Sequence, residues 1–218
     1  MVALFLLLKI PCLCNIKLNN DYGVGVMGEV FKRIETKMTY KEYLNLPEGE
    51  RVELIDGYVY NMVAPSRIHQ EVSMNLSRIF SNFLLGKECK VYAAPFDVRL
   101  IKEGQREDEA DTVVQPDLSI ICDKSKLDER GCKGAPDMII EIVSPSTASI
   151  DYIKKLNLYE KFKVKEYWIV NPIEKIVMVF LLNNNGEYGK PKIYGEEDIA
   201  KVEIFEDFSI NVGEIFKF

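Results

Sequence analysis

The sequence is poor in the residues that build the commonest metal and redox sites. It holds one histidine, His69, and five cysteines at 12, 14, 89, 122 and 132, with no CxxC pair. A lone histidine cannot form a catalytic dyad by itself, and this cysteine spacing supports neither a structural zinc site nor a disulfide scaffold. Reduced thiols in a cytoplasm are the expectation, with Cys89 and Cys122 as small core residues. Basic charge is also in deficit, at a formal net −6. That excludes a histone-like binder, which gains affinity by massing Lys and Arg, although a local basic cluster beside a cleft is still able to steer a polyanion. No repeat, low-complexity tract or Gly/Ser/Pro linker divides the chain. The apolar run Met1 to Leu8 is too short to span a bilayer and is followed, not preceded, by Lys9, which disfavours a signal peptide. We therefore expect no membrane association, an N-terminal extension over residues 1–38 with the natural start at Met27 or Met38, and a single domain over 39–218.

What is present reads as mixed α and β. Thr39 and Glu42 have capping-box spacing, which predicts a short helix over Tyr40 to Leu46. Val52 to Ile55 and Tyr58 to Val63 flank Asp56-Gly57, a strong hairpin signal. Ser66 caps a helix whose Ile68, Val72, Leu76, Ile79, Phe80 and Phe83 recur at helical spacing. Phe96, Val98 and Leu100 alternate with Asp97 and Arg99, as in a half-buried strand, and Glu103 to Asp111 is an acidic, solvated loop. Asp117 to Cys122 and Met138 to Val143 are apolar enough to be strands buried on both faces. A helix from Ile150 to Phe162 and strands Glu166 to Val170 and Lys175 to Leu182 follow, with a peripheral hairpin and a short terminal segment after them. The predicted class is α/β or α+β, a central mixed sheet flanked by few helices, with an N-terminal β-hairpin.

Two acidic residues interrupt that pattern. Glu141 lies inside Met138-Ile139-Ile140-Glu141-Ile142-Val143, where an unpaired carboxylate would cost several kcal/mol or hold a proton. Asp117 opens the neighbouring apolar run after Pro116. If the strands are adjacent, the two carboxylates converge, and a hard cation such as Mg²⁺ needs such oxygen ligands. It would lower the pKa of a bound water and stabilise charge on a phosphate undergoing attack, with a lysine nearby to assist. The position two residues after Glu141 is Val143, so the lysine must come from elsewhere. The following helix offers Lys154 and Lys155, the latter four residues after Asp151.

The series Val52-Glu53-Leu54-Ile55-Asp56-Gly57, the Pro65-Ser66 turn with His69, Gln115-Pro116-Asp117, Ile140 to Ser146, Asp151 with Lys155, and Lys165 to Val170 resembles the Uma-two family of restriction endonucleases. That family belongs to the PD-(D/E)XK nuclease superfamily, and the resemblance covers roughly Tyr40 to the C-terminus. It implies a restriction-endonuclease-like fold and a Mg²⁺-dependent endonuclease, with Mn²⁺ as a substitute, acting on nucleic acid, foremost DNA, and working as a homodimer. Asp117, Glu141, Glu53 and Ile142 would hold the metal, Lys155 would be the catalytic lysine, and His69, Asp151 and Gln115 would be accessory. A lysine on the helix is also this family's arrangement.

Blander readings stand beside each of these. Glu141 and Lys155 would make a buried ion pair without chemistry; Asp117 would begin a strand or cap a turn; Glu53 would pair with Arg51 or with a lysine across the strands; His69 would cap or pack. Tyr167 and Trp168 suit a strand core better than base stacking. The lysines at 154, 155, 161, 163 and 165 would contact phosphates or merely solvate a helix. A nuclease fold that only binds or assembles is the alternative function, whereas a glycosidase lacks the raised-pKa acid facing a sugar cleft.

Overall fold

The computed structural model describes residues 37–47, 49–145 and 149–218. The readings placed on residues 1–36 and on Ser146 and Thr147 lie outside them. Helix α1 (Tyr40–Tyr43) leads into strands β1 (Val52–Ile55) and β2 (Tyr58–Asn61), then α2 (Arg67–Phe83) and β3 (Lys90–Ala93). Four short strands follow as β4 (Val98–Arg99), β5 (Val113–Val114), β6 (Leu118–Ile121) and β7 (Leu127–Asp128). Next come β8 (Gly131–Lys133), β9 (Met138–Ile142), a π-helical turn (Ile150–Lys155), α3 (Leu156–Lys161), β10 (Glu166–Asn171) and β11 (Ile176–Leu181). The chain ends with β12 (Lys192–Tyr194), β13 (Ile199–Lys201), β14 (Ser209–Asn211) and α4 (Val212–Ile215).

These strands make two six-stranded sheets, ordered β2-β1-β5-β4-β8-β7 and β12-β11-β10-β9-β6-β3, with β13 and β14 as a separate pair. In the second sheet β9 and β10 are parallel, and the crossover that parallel pairing demands carries the π-helical turn and α3. Neighbouring β6 runs antiparallel to β9 with Leu118 opposite Ile140. The two apolar strands expected to be adjacent are therefore adjacent.

Local chemistry explains most elements. The Glu42 carboxylate accepts the Thr39 N–H at 2.8 Å, closing the start of α1. Asp56 and Gly57 have φ of 50° and 87°, the left-handed pair that a two-residue hairpin needs. Ser66 Oγ accepts the His69 N–H at 3.2 Å and caps α2, whose Val72, Leu76 and Phe80 are buried, Phe80 lying edge-on to Trp168. Gly131 has φ 121°, and a Cβ there would lie 2.2 Å from the Asp97 carbonyl, so β8 can dock only with glycine.

Several expectations are corrected. Cys89 and Cys122 form a disulfide. Lys90 pairs with Ile121, so the next residues outward stand directly opposite, a register that cysteine spacing does not reveal. Arg99 is fully buried and does not face solvent, because it reaches the carboxylates of Glu107 and Asp128 at 2.8 Å each, which draws part of the acidic loop inward. Ile68 is exposed at the first turn of α2, before the helix meets the sheet. The predicted helix from Ile150 begins in the π winding, and the C-terminal segment is not peripheral: Ala200, Val202, Phe208, Ile210 and Ile215 close one face of the core over Phe80 and Trp168.

Candidate active site

The two sheets meet at Lys155. Its ammonium lies 2.9 Å from Glu53 Oε1 on β1 and 2.9 Å from Glu141 Oε1 on β9, with Asp151 Oδ1 at 3.8 Å. All four side chains are buried, at 4–5% exposure for the residues. Glu53 Oε1 also accepts the Gln115 N–H at 2.9 Å, and Glu141 Oε1 accepts the Tyr159 hydroxyl at 2.7 Å. The Leu118–Ile140 register carries Asp117 to the place opposite Glu141. Asp117 Oδ2 accepts the Ile142 N–H at 2.7 Å and lies 3.2 Å from His69 Nε2.

Every residue proposed from the sequence is therefore drawn into one neighbourhood, though by different routes. Lys155, not Lys154, is the buried lysine; Lys154 points outward to the Tyr60 hydroxyl at 2.9 Å. Glu53 pairs with Lys155 and not with Arg51. Gln115 acts through its peptide N–H on Glu53, while its side-chain Nε2 donates to Asp97 at 2.8 Å. Ile142 enters through its backbone. Tyr159, one turn beyond Lys155 along the face that Asp151 and Lys155 share in the sequence, has no role assigned from the sequence and joins the site through its hydroxyl.

Burial pushes the Glu141 carboxyl well above the usual carboxylate range; Lys155 pulls it back, and the nearby Asp151, Asp117 and Glu53 charges raise it further. Burial alone would lower the Lys155 ammonium, but Glu141, Glu53 and Asp151 hold it well above its ordinary value. His69 is raised as well, since hydrogen bonding and charge from Asp117, with help from the Ile142 backbone, outweigh its burial. Its Nδ1 is buried without a hydrogen-bond partner among the described residues.

A cavity of about 400 Å³ opens on these groups, lined by Glu53, His69, Asp117, Glu141, Asp151 and Lys155 among others. Three buried carboxylates facing one lysine, with Asp117 lining the same cavity, make an oxygen-rich donor set, and that chemistry fits a hard divalent cation. The spacing is set by the lysine, however: among the described residues no three His, Cys, Asp or Glu side chains are arranged to hold a metal ion. Placed between Glu53 and Glu141, the ammonium supplies the neutralisation that a cation would share.

A mixed-sheet fold of the same kind is found in a solved structure from Anabaena variabilis, described as "a putative nuclease belonging to DUF820". The two superpose with a TM-score of 0.66 at 18% identity, over 82% of this chain and 97% of that one. Residues 40–213 match the family Uma2, described as "Putative restriction endonuclease", and the chain belongs to that family. Two uncharacterized proteins of Synechocystis sp. are similar in sequence. The first, slr1290, is 26% identical over 70% of this chain and 78% of its own length. The second, sll1609, is 25% identical over 62% and 75%.

Proposed function

We propose that the protein is a Mg²⁺-dependent endonuclease that hydrolyses phosphodiester bonds in nucleic acid, with DNA as its substrate and Mn²⁺ able to replace Mg²⁺. The observation that carries this is Lys155 Nζ held 2.9 Å from both Glu53 and Glu141 at the floor of a cavity that Asp117 also lines. Membership of the Uma2 family and the likeness to the Anabaena nuclease fold support the same reading.

Asp117, Glu141, Glu53 and the backbone of Ile142 are the groups that would hold the ion. When bound, it supplies Lewis acidity and an acidified water to a phosphate. The chain's own residues set the rest. Lys155 offers a fixed positive charge to the phosphate oxygens as they gain charge. Asp151 holds Lys155 in place, and Tyr159 fixes the rotamer of Glu141. His69 and the Ile142 N–H pin Asp117 to one orientation. Double-strand cutting needs two such sites, which a homodimer would supply. Among the described residues no helix is long and apolar enough to cross a membrane.

Nicking of supercoiled plasmid with Mg²⁺ or Mn²⁺ is the test. Glu141→Ala and Lys155→Ala should each lower the rate by roughly 10²-fold or more. Equal cleavage by both variants and the wild type would remove this site from the chemistry. A second reading, a nuclease fold that binds or assembles without cutting, draws on Lys155 already bridging two glutamates. Calorimetric titration of Mn²⁺ into the folded wild type separates them: heat of binding that Glu141→Ala abolishes fits the nuclease, and no binding fits the module.

A further inference from the structure

A second cavity of about 480 Å³ lies against the first, and Tyr60 lines both. Its other walls include Tyr58 on β2, Lys154 on the π-helical turn, and Asn157 and Lys161 on α3. Lys154 Nζ is 4.6 Å from the centre of the Tyr60 ring while bonding its hydroxyl. Lys37 Nζ is 5.6 Å from the centre of the Tyr58 ring. Lys161 is 3.3 Å from Asp56, both side chains being half exposed, so this pair is weak and open to exchange with another anion. Three lysines against one aspartate make this face basic on a chain of net charge −6. Consecutive residues divide the work here: Lys155 turns into the buried carboxylates and Lys154 turns outward across the tyrosine that separates the two cavities.

We propose that this face is the track for an unpaired nucleic-acid strand flanking the phosphate held at Lys155, with backbone phosphates on Lys154 and Lys161 and a base stacked on Tyr60. The inference rests on the nuclease reading for the strand's place in the neighbouring cavity, and on its own residues for binding. Lysines beside aromatic rings combine the two recognition modes that unpaired strands require: charge for the backbone and a flat apolar face for the bases. A plain solvated helix face would not set Lys154 against a tyrosine contributed by the other sheet.

The probe is a fluorescein-labelled oligothymidylate of about 20 nucleotides, followed by anisotropy in EDTA over a series of NaCl concentrations. Lys154→Ala/Lys161→Ala should weaken binding about tenfold near 0.1 M NaCl and reduce the log–log salt slope by about 1.4, roughly 0.7 for each lost phosphate contact. Tyr60→Leu should weaken binding by a similar order and leave the slope unchanged. Wild-type affinity and slope in the double lysine variant would overturn the track. Duplex bound as tightly as the single strand, with Tyr60→Leu silent, would overturn its unpaired character. Plasmid nicking by the same proteins keeps the two readings apart. A wild type that binds through these lysines but never nicks sinks the catalytic reading alone, and one that nicks while the lysine variants bind and nick normally sinks the track alone.

Discussion

Among the described residues two cations, Arg99 and Lys155, are buried, and their surroundings are built differently. Arg99 is fully buried, but its partners Glu107 and Asp128 have side chains 31% and 44% exposed. Its Nε donates to the Cys132 carbonyl and Nη1 also to the Tyr40 hydroxyl. Only the cation has been taken out of water there, and each carboxylate keeps part of its hydration. Around Lys155 the partners Glu53, Glu141 and Asp151 have side chains only 5–7% exposed, and they outnumber the lysine. The first arrangement stitches β4 to the loops beside it. The second crowds three buried carboxylates round one ammonium and opens them to a cavity, a costly arrangement of the kind that clusters at functional sites.

The comparison is breakable. Lys155→Met strands three buried carboxylates, and chemical denaturation should show a loss of about 3–5 kcal/mol. Glu166 extends the comparison to a buried acid which, among the described residues, has no ion pair. It accepts the Trp168 indole N–H at 2.7 Å and the Ile204 N–H at 2.8 Å, and the Glu203 backbone N–H also bears on it. Burial pushes its carboxyl from 4.5 up to about 7, against the pull of those donors. The folded state then keeps a proton that the unfolded chain releases near 4.5, so the contribution of Glu166 to stability is fully present below that pH and declines as pH rises towards 7. The decline should total about 3 kcal/mol, and Glu166→Gln should flatten it in melts followed from acid to neutral pH. Arg99→Met should cost less than Lys155→Met, about 2 kcal/mol, because its abandoned carboxylates can rehydrate; the reverse ranking would refute the distinction. Glu141→Gln relieves crowded charge while keeping the shape, so its stability should stay within about 1 kcal/mol of wild type even as nicking is lost.

Glu141 was legible because it breaks an otherwise apolar strand and Asp117 because it opens the next one, while the adjacency of the two strands was a condition that the sheet order met. The hairpin at Asp56-Gly57 and the cap at Ser66 were legible because their chemistry is local. Arg99 was not, since strict alternation assigns it to the solvent face and only distant loops supply its partners. The Cys89–Cys122 pairing depends on β3 lying beside β6, and the burial of the C-terminal segment depends on where α2 leaves a face uncovered. Both are properties of the assembled sheet. Lys155 was separable from Lys154 by its offset from Asp151, while the role of Gln115 resides in its backbone and leaves no mark on residue type.

The six-residue π-helical turn gives the site a dependence on chain length. Leu158 and Tyr159 are anchored in the core beyond it, so they act as a fixed end, and the wide winding takes up the slack before them. Removing one residue, such as the exposed Ile153, would tighten the coil and rotate what precedes the anchor by roughly 100°. Asp151 would then leave its place beside Lys155 without any functional side chain having been altered. In this protein the spacing between Asp151 and the anchored Leu158 is a setting in its own right, and an insertion or deletion there is equivalent to mutating the centre itself.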